Sequence, residues 1–170
     1  MHVDAPRRHR GMISRFVSGW RMRASGSAVI ATTILAASVS LAPAAVANSA
    51  DSLRAAVIAV RQGTCQPLRS EPAVEQAADI VNRSTDVWLD HKGRAVPVPD
   101  PLPVLKDLGY GGGRAVQVQG AGNTDAEAIE GLLLVGYAIV PDCSYTDFGV
   151  SMLQNQSTGH HLAVVVLASA

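Results

Sequence analysis

The sequence has few of the residue patterns from which metal, nucleotide and nucleophile sites are usually built. Its two cysteines, Cys65 and Cys143, form no CxxC pair, and neither has a histidine four residues after it, which argues against a cysteine-based zinc site. No Walker or Rossmann glycine pattern and no GxSxG elbow occurs. Aromatic residues make up only 4% of the chain. The usual signatures of nucleotide binding and of hydrolase catalysis are therefore missing.

The charges divide the chain into two unlike parts. Residues 1–47 carry six arginines against one acid, a net charge of +5, whereas residues 48–170 carry eight basic and thirteen acidic residues, a net charge of −5. Such a split is typical of a leader followed by a body. Because nucleic-acid-binding domains are usually basic, the acidic body argues against nucleic acid as a partner.

Residues 1–47 have the organisation of a secretory signal peptide. A basic region ends at Arg23, the most apolar part spans residues 28–41, and Ala45 and Ala47 form an A-x-A cleavage site, with an alternative cleavage point three residues earlier. A retained membrane anchor is the other interpretation, but the apolar part has about 14 residues, short of the ~20 needed to span a bilayer. We predict cleavage, a protein that is secreted or held in the cell envelope, and no membrane span after cleavage.

Both cysteines lie in the body, and they predict a disulfide. In an exported protein an even pair of cysteines is first interpreted as a disulfide, with two free thiols as the alternative. Closing the loop between Cys65 and Cys143 would stabilise the fold by about 4 kcal/mol in the chain-entropy model.

The body, residues 48–170, has the length of one domain. Hydrophobic spacing, caps and turn residues predict helices over residues 52–61, from 70 or 71 to 88, 101–108 and 124–140, and strands over 114–119, 145–153 and 161–168. Trp88 and Tyr137 fall on the apolar stripes of their helices, so we expect both to be buried. The last strand is apolar on both faces, which predicts a central or doubly covered position. This element order indicates an α+β fold with a small antiparallel sheet.

Three histidines are the candidate chemical residues of the body. His91 lies in a polar loop near Asp86 and Asp90, and His160 and His161 precede the last strand. Adjacent residues on a strand point to opposite faces, so His160 and His161 are not expected to share a ligand. No nucleophile and no pair of catalytic carboxylates can be assigned from the sequence.

Several segments of the body together resemble one known family. The matching segments are Leu53-Arg54-Ala55-Ala56-Val57, Arg61-Gln62-Gly63-Thr64-Cys65-Gln66-Pro67-Leu68, Glu71-Pro72-Ala73-Val74-Glu75-Gln76-Ala77-Ala78, Lys106-Asp107-Leu108-Gly109-Tyr110 and Asp142-Cys143-Ser144-Tyr145-Thr146-Asp147-Phe148-Gly149-Val150. They resemble bacterial domains of the CAP superfamily, the SCP-like extracellular proteins related to cysteine-rich secretory and plant pathogenesis-related proteins. The resemblance spans about residues 50–170. It implies an α-β-α sandwich and a pairing of the two cysteines.

The departures from the family pattern concern its cavity, which typically gathers two histidines and two glutamates and binds a divalent metal in some members. Where the family has Gly-Glu-Asn, this chain has Ala115 to Val118, and where Gly-His is expected it has Leu134 to Tyr137. Only His91 matches a member of that set, and one imidazole is a poor metal site. The resemblance therefore implies a degenerate member with His91 as a vestigial site residue, no catalytic residues, and no metal or other cofactor.

These observations favour a secreted, disulfide-stapled, non-catalytic domain that binds a lipid, another envelope component or a protein partner. A metal-assisted hydrolase that uses His91 with unidentified acids is the alternative. A purely structural protein of the envelope is a third hypothesis, and a contiguous exposed apolar patch would favour it. No pattern in the sequence indicates an oligomeric state.

Overall fold

The computed structural model describes residues 48–170, so the predicted signal peptide lies outside the described residues. The described part contains four helices and four strands, and its fold is α+β, as predicted. In chain order they are α1 (Ser49–Arg61), β1 (Arg69–Ser70), α2 (Pro72–Leu89), α3 (Pro101–Asp107), β2 (Arg114–Gly122), α4 (Asp125–Val135), β3 (Asp147–Gln154) and β4 (His161–Ser169).

Polar caps determine where α1 and α4 begin. The side chain of Asn48 accepts a hydrogen bond from the backbone N–H of Asp51, and α1 therefore starts three residues before the predicted position. Thr124 accepts from the backbone N–H of Glu127 at 3.2 Å, as the capping box predicts. The carboxylate of Glu127 reaches back to the N–H of Asn123, one residue earlier than in the standard box.

The four strands form one mixed sheet in the order β1-β3-β4-β2. The pairs β2–β4 and β3–β4 are antiparallel, as predicted. The two-residue strand β1, which the sequence did not predict, pairs with β3 in parallel and makes the sheet mixed. The sequence offered Ser70 as a possible start of α2, and two residues are too few to show an alternation.

The sheet separates two helical layers, which confirms the α-β-α sandwich. On one face α1 and α4 pack around Leu53, Leu132 and Phe148, and on the other α2 and α3 pack around Val81 and Leu105. Strand β4 lies between β3 and β2 and contributes side chains to both cores, so the prediction of a doubly covered central strand is confirmed.

Two aromatic residues that the helical spacing placed in the cores are exposed. Trp88 is 45% exposed near the end of α2, against the backbone of Gly93. Tyr137 is 77% exposed because α4 ends at Val135 instead of continuing to residue 140. Gly136 closes the helix, and the following turn brings Val140, rather than Tyr137, into the core. Of the helices in residues 48–170, none has the length and apolar character needed to cross a membrane.

Candidate functional site

His91 lies in the loop that follows α2, and its side chain is exposed. Its backbone takes a left-handed conformation with φ 57°, and its N–H donates to the carbonyl of Trp88 at 2.9 Å. Within residues 48–170 no group of three His, Cys, Asp or Glu side chains lies close enough to hold a metal ion. In the segment where the resemblance expects Gly-Glu-Asn, the side-chain amide of Gln117 donates to the carbonyl of Val98 at 2.8 Å. The residues present therefore do not fit the metal that some CAP proteins bind.

The two adjacent histidines have separate surroundings. His160 is exposed in the turn before β4. His161 is half-buried at the start of β4, and its Nδ1 lies 2.6 Å from a carboxylate oxygen of Asp125. The hydroxyl of Ser49 donates to the other oxygen of Asp125. Sequence reasoning missed this row of three residues because they stand on three elements, α1, α4 and β4, far apart in the chain.

The geometry of the Ser49–Asp125–His161 row is that of a structural hydrogen-bond network, which connects α1, α4 and β4. In a nucleophilic triad the serine hydroxyl must contact the histidine, whereas here both residues contact the central carboxylate. The hydrogen bond from Ser49, with a further contribution from His161, lowers the pKa of Asp125 against the opposing effect of desolvation. A carboxylate with a lowered pKa is a poor general base at neutral pH.

A second set of hydrogen bonds links the end of α1 to the segment that follows α4. Arg61, the last residue of α1, is only 3% exposed. Its guanidinium donates to the backbone carbonyls of Val140 at 3.1 Å, Asp142 at 2.8 Å and Tyr145 at 3.1 Å. Burial lowers its pKa, while Asp142 acts in the opposite direction. Ser49 therefore links the start of α1 to the start of α4, and Arg61 links the end of α1 to the segment that follows α4.

A mostly apolar cleft opens beside Arg61, where α1 ends. It has a volume of about 290 Å³ and is lined by Ile58, Arg61, Gln62, Gly63, Cys65, Pro67 and Leu68. Cys65 is joined to Cys143 by the predicted disulfide, which fixes the wall of the cleft to the segment after α4. We refer to these lining residues as the disulfide cleft.

Five of the eight large apolar side chains that are exposed among residues 48–170 lie on α1 or around the end of α4. Ile58 and Val60 on α1 are 40% and 39% exposed, and Leu134, Val135 and Tyr137 are more exposed still. The other three, Val87, Trp88 and Val96, lie at the end of α2 and in the loop that follows it. Single exposed apolar residues are ordinary, whereas a contiguous apolar patch marks an interaction surface. Sequence periodicity did not predict the exposure of Tyr137, because it assigned this residue to the core.

Fold and site together define a disulfide-bonded α+β sandwich domain with an apolar cleft at one end. No family model matches the chain, and no curated protein matches it either. Among solved structures it is similar to an outer surface protein from Borrelia burgdorferi, with a TM-score of 0.58 and 9% sequence identity. The similarity covers 71% of this chain and 92% of that protein. At this level of identity the similarity shows the fold.

Proposed function

We propose that this chain is an exported, non-catalytic, CAP-like binding module whose disulfide cleft holds a lipid or another apolar component of the cell envelope. Export is supported by the leader-like residues 1–47 and by the disulfide, since disulfides persist in oxidising compartments. The structural neighbour is an outer surface protein of a bacterium, which agrees with a location at the cell surface.

The disulfide cleft is the observation that carries this proposal. It is concave and predominantly apolar, and of its two polar side chains, Arg61 and Gln62, the guanidinium of Arg61 is held by three backbone carbonyls. Binding sites for small apolar molecules have this composition, with a few fixed polar groups among apolar walls. The side of the disulfide cleft that Arg61 and Cys65 form is rigid, because the guanidinium and the disulfide both attach it to the segment after α4. A rigid cleft loses little conformational entropy when a ligand binds.

The arrangement of the polar residues favours binding over catalysis. His91 stands exposed in its loop, and the Ser49–Asp125–His161 row lacks a contact between the serine and the histidine. Neither arrangement supplies an activated nucleophile or a poised general base.

Native mass spectrometry of the protein purified from the envelope or medium of its own host tests the proposal. We expect a reproducible adduct in the lipid mass range. The variant Ile58→Glu places a charge in the cleft and should abolish the adduct, because burying an unpaired carboxylate against a lipid is costly. Val60→Glu is the matched control, since Val60 lies on the same helix with nearly equal exposure but outside the cleft lining, and it should retain the adduct.

Two outcomes would contradict the lipid-binding proposal. A divalent-metal adduct that His91→Ala abolishes would support the metal-assisted hydrolase instead. The second outcome is a polypeptide without a lipid adduct that is recovered together with another protein. If Tyr137→Glu released that protein, the exposed apolar side chains would form a protein interface and the cleft would have no ligand.

A further inference from the structure

The two edges of the sheet differ in how their backbone groups are satisfied. On the β3 side the short strand β1 pairs with the start of β3, and beyond it the carboxylate of Glu75 accepts from the backbone N–H of Val150 at 2.9 Å. The other edge is β2, a strand of nine residues that pairs with β4 in an unbroken register. Long edge strands bind other chains readily, and proteins usually blunt them with proline, charge or a bulge. Residues 115–122 contain no proline and no charged residue, so β2 presents an edge without these protections.

The register of the sheet shows which backbone groups of β2 face this free edge. The carbonyls of His160 and Ala168, at the two ends of β4, accept from N–H groups on the β3 side. Since successive residues of a strand direct their backbone groups to opposite edges, the odd-numbered residues of β4 bond to β2, where they lie opposite even-numbered residues. The odd-numbered residues of β2 therefore direct their N–H and C=O groups outward. These are Ala115, Gln117, Gln119 and Ala121; none of them is buried, and none forms a backbone–backbone hydrogen bond to a loop or turn of residues 48–170.

Exposed apolar side chains of α4 lie beside the free edge. A Cβ on Gly131 of α4 would be 3.7 Å from the carbonyl of Ala121, which points to that edge. Leu134 and Val135 follow Gly131 by three and four residues, so they share its face of the helix. Their side chains are 69% and 66% exposed. The edge therefore combines unpaired backbone groups with an apolar surface next to them.

We propose that two copies of this chain pair through their β2 strands, in antiparallel orientation, and so form one continuous sheet. A two-fold axis at Val118, the middle residue of β2, places Gln117 opposite Gln119 of the second copy and Ala115 opposite Ala121. In this register each outward-facing residue meets another one, and each such pair forms two hydrogen bonds. The same edge then serves both copies, as a two-fold interface requires.

The charges at the two ends of β2 favour a second copy as the partner. Arg114 begins the strand, whereas Glu127 lies over Gly122 at its end, where a Cβ on the glycine would be 2.5 Å from the Cβ of Glu127. Eight residues of strand separate the two ends by roughly 26 Å, so Arg114 and Glu127 cannot meet within one copy. The antiparallel pairing places Arg114 of each copy opposite Gly122 of the other and thus near its Glu127. Both side chains lie on the same face of the sheet, because Arg114 stacks on Tyr145, a residue of the core that α1 and α4 cover.

The apolar side chains of α4 come together at the centre of this interface. Gly136, the residue after α4, lies against Val118, since a Cβ on the glycine would be 3.0 Å from Cγ1 of the valine. Leu134 and Val135 of both copies therefore approach the two-fold axis. An apolar centre with charged groups at the rim is the usual composition of a protein interface.

Size-exclusion chromatography with light scattering, at several concentrations of the protein purified from its host, tests this inference. We expect the mass of a dimer. Ala121→Pro removes an outward-facing N–H that takes no part in the pairing with β4, so it should give a monomer with an unchanged circular dichroism spectrum. Ala121→Ser keeps that N–H and should remain dimeric.

Charge reversal tests the register of the pairing. Arg114→Glu and Glu127→Arg should each raise the dissociation constant of the dimer about tenfold, because two symmetry-related ion pairs become repulsive. The double variant should recover the affinity of the unmodified protein. Glu127→Arg also reduces the net negative charge of residues 48–170, so an effect of net charge alone would strengthen dimerisation instead.

The inference is overturned if the protein is monomeric at every concentration, or if Ala121→Pro dimerises like the unmodified protein. It is also overturned if the double charge reversal binds no better than the single variants. Because Ile58 lines the disulfide cleft, Ile58→Glu should still dimerise, so the outcome is independent of the lipid-binding proposal.

Discussion

At the scale of single residues, the buried charged side chains Asp147 and Arg61 each form hydrogen bonds with several partners. Asp147 is 2% exposed at the start of β3, and its two carboxylate oxygens accept separately from Arg69 at 2.7 Å and from the hydroxyl of Tyr110 at 2.6 Å. Burial, and then the hydrogen bond to Asp147, raises the pKa of Tyr110, which keeps its hydroxyl protonated as a donor. Arg61 follows the same rule with three carbonyls.

Replacement of Tyr110 by phenylalanine should therefore destabilise the fold. The change leaves one oxygen of a buried carboxylate without its donor, and hydrogen bonds to charged groups contribute about 1.5–3 kcal/mol. Chemical denaturation monitored by circular dichroism would measure the loss. Tyr137→Phe removes the same hydroxyl from an exposed ring and should leave the free energy of unfolding unchanged. Equal stability of the two variants would show that the bond from Tyr110 to Asp147 contributes nothing.

At the scale of secondary-structure elements, α1 is linked at its start to α4 and at its end to the segment after α4. The Ser49–Asp125–His161 row makes the first link and Arg61 makes the second. The pKa of Asp125 is lower in the folded chain than in the unfolded chain, so its ionised form favours folding. That contribution is present above the unfolded-state pKa of about 3.9 and is lost as the pH falls through the lower folded-state pKa.

Substitution of Asp125 by asparagine should lower stability at neutral pH by about 0.5–1 kcal/mol, a modest value because the side chain is partly exposed and screened by solvent. The difference from the unmodified protein should shrink as the pH falls through the lowered folded-state pKa of Asp125 and vanish below it, where the carboxyl group is protonated in both the folded and the unfolded chain. Urea unfolding at several pH values would measure it. Asp51→Asn also removes a first-turn carboxylate but leaves the row intact, and it should cost less. A pH-independent difference for Asp125→Asn would contradict the mechanism.

Sequence patterning predicted the elements well wherever local chemistry determines them. Spacing and caps located the four helices, and the doubly apolar run Leu162–Leu167 identified the central strand. Patterning failed where tertiary contacts decide the structure. The two-residue strand β1 is defined by its pairing with β3, and α4 ends before Gly136, after which a turn places Val140 rather than Tyr137 in the core. The disulfide cleft depends on which elements meet, so the composition of any one element could not predict it.

At the scale of the whole domain, one covalent link closes much of the chain into a loop. The disulfide joins residues 78 positions apart, and the enclosed segment contains β1, α2, α3, β2 and α4. Such a link restricts the unfolded chain more than the folded one. The two cores lie on opposite faces of the sheet, and both require β4.

The double variant Cys65→Ser and Cys143→Ser should lose about 4 kcal/mol of stability, because the unfolded chain regains the entropy of an open loop. Thermal or urea unfolding would measure the change. Addition of a reducing agent should bring the unmodified protein to the stability of the double variant and leave the variant itself unaffected. An unmodified protein that is insensitive to reduction would show that the bond contributes little.

The position of β4 at the centre of the sheet has a consequence for the emergence of the chain from the ribosome or a membrane channel. This strand is the last element of the described residues, yet both antiparallel pairings of the sheet depend on it. Earlier segments can form helices as they appear, but neither core can close until residues 161–169 arrive. The order of elements along the described residues therefore delays the closure of both cores until β4 has emerged.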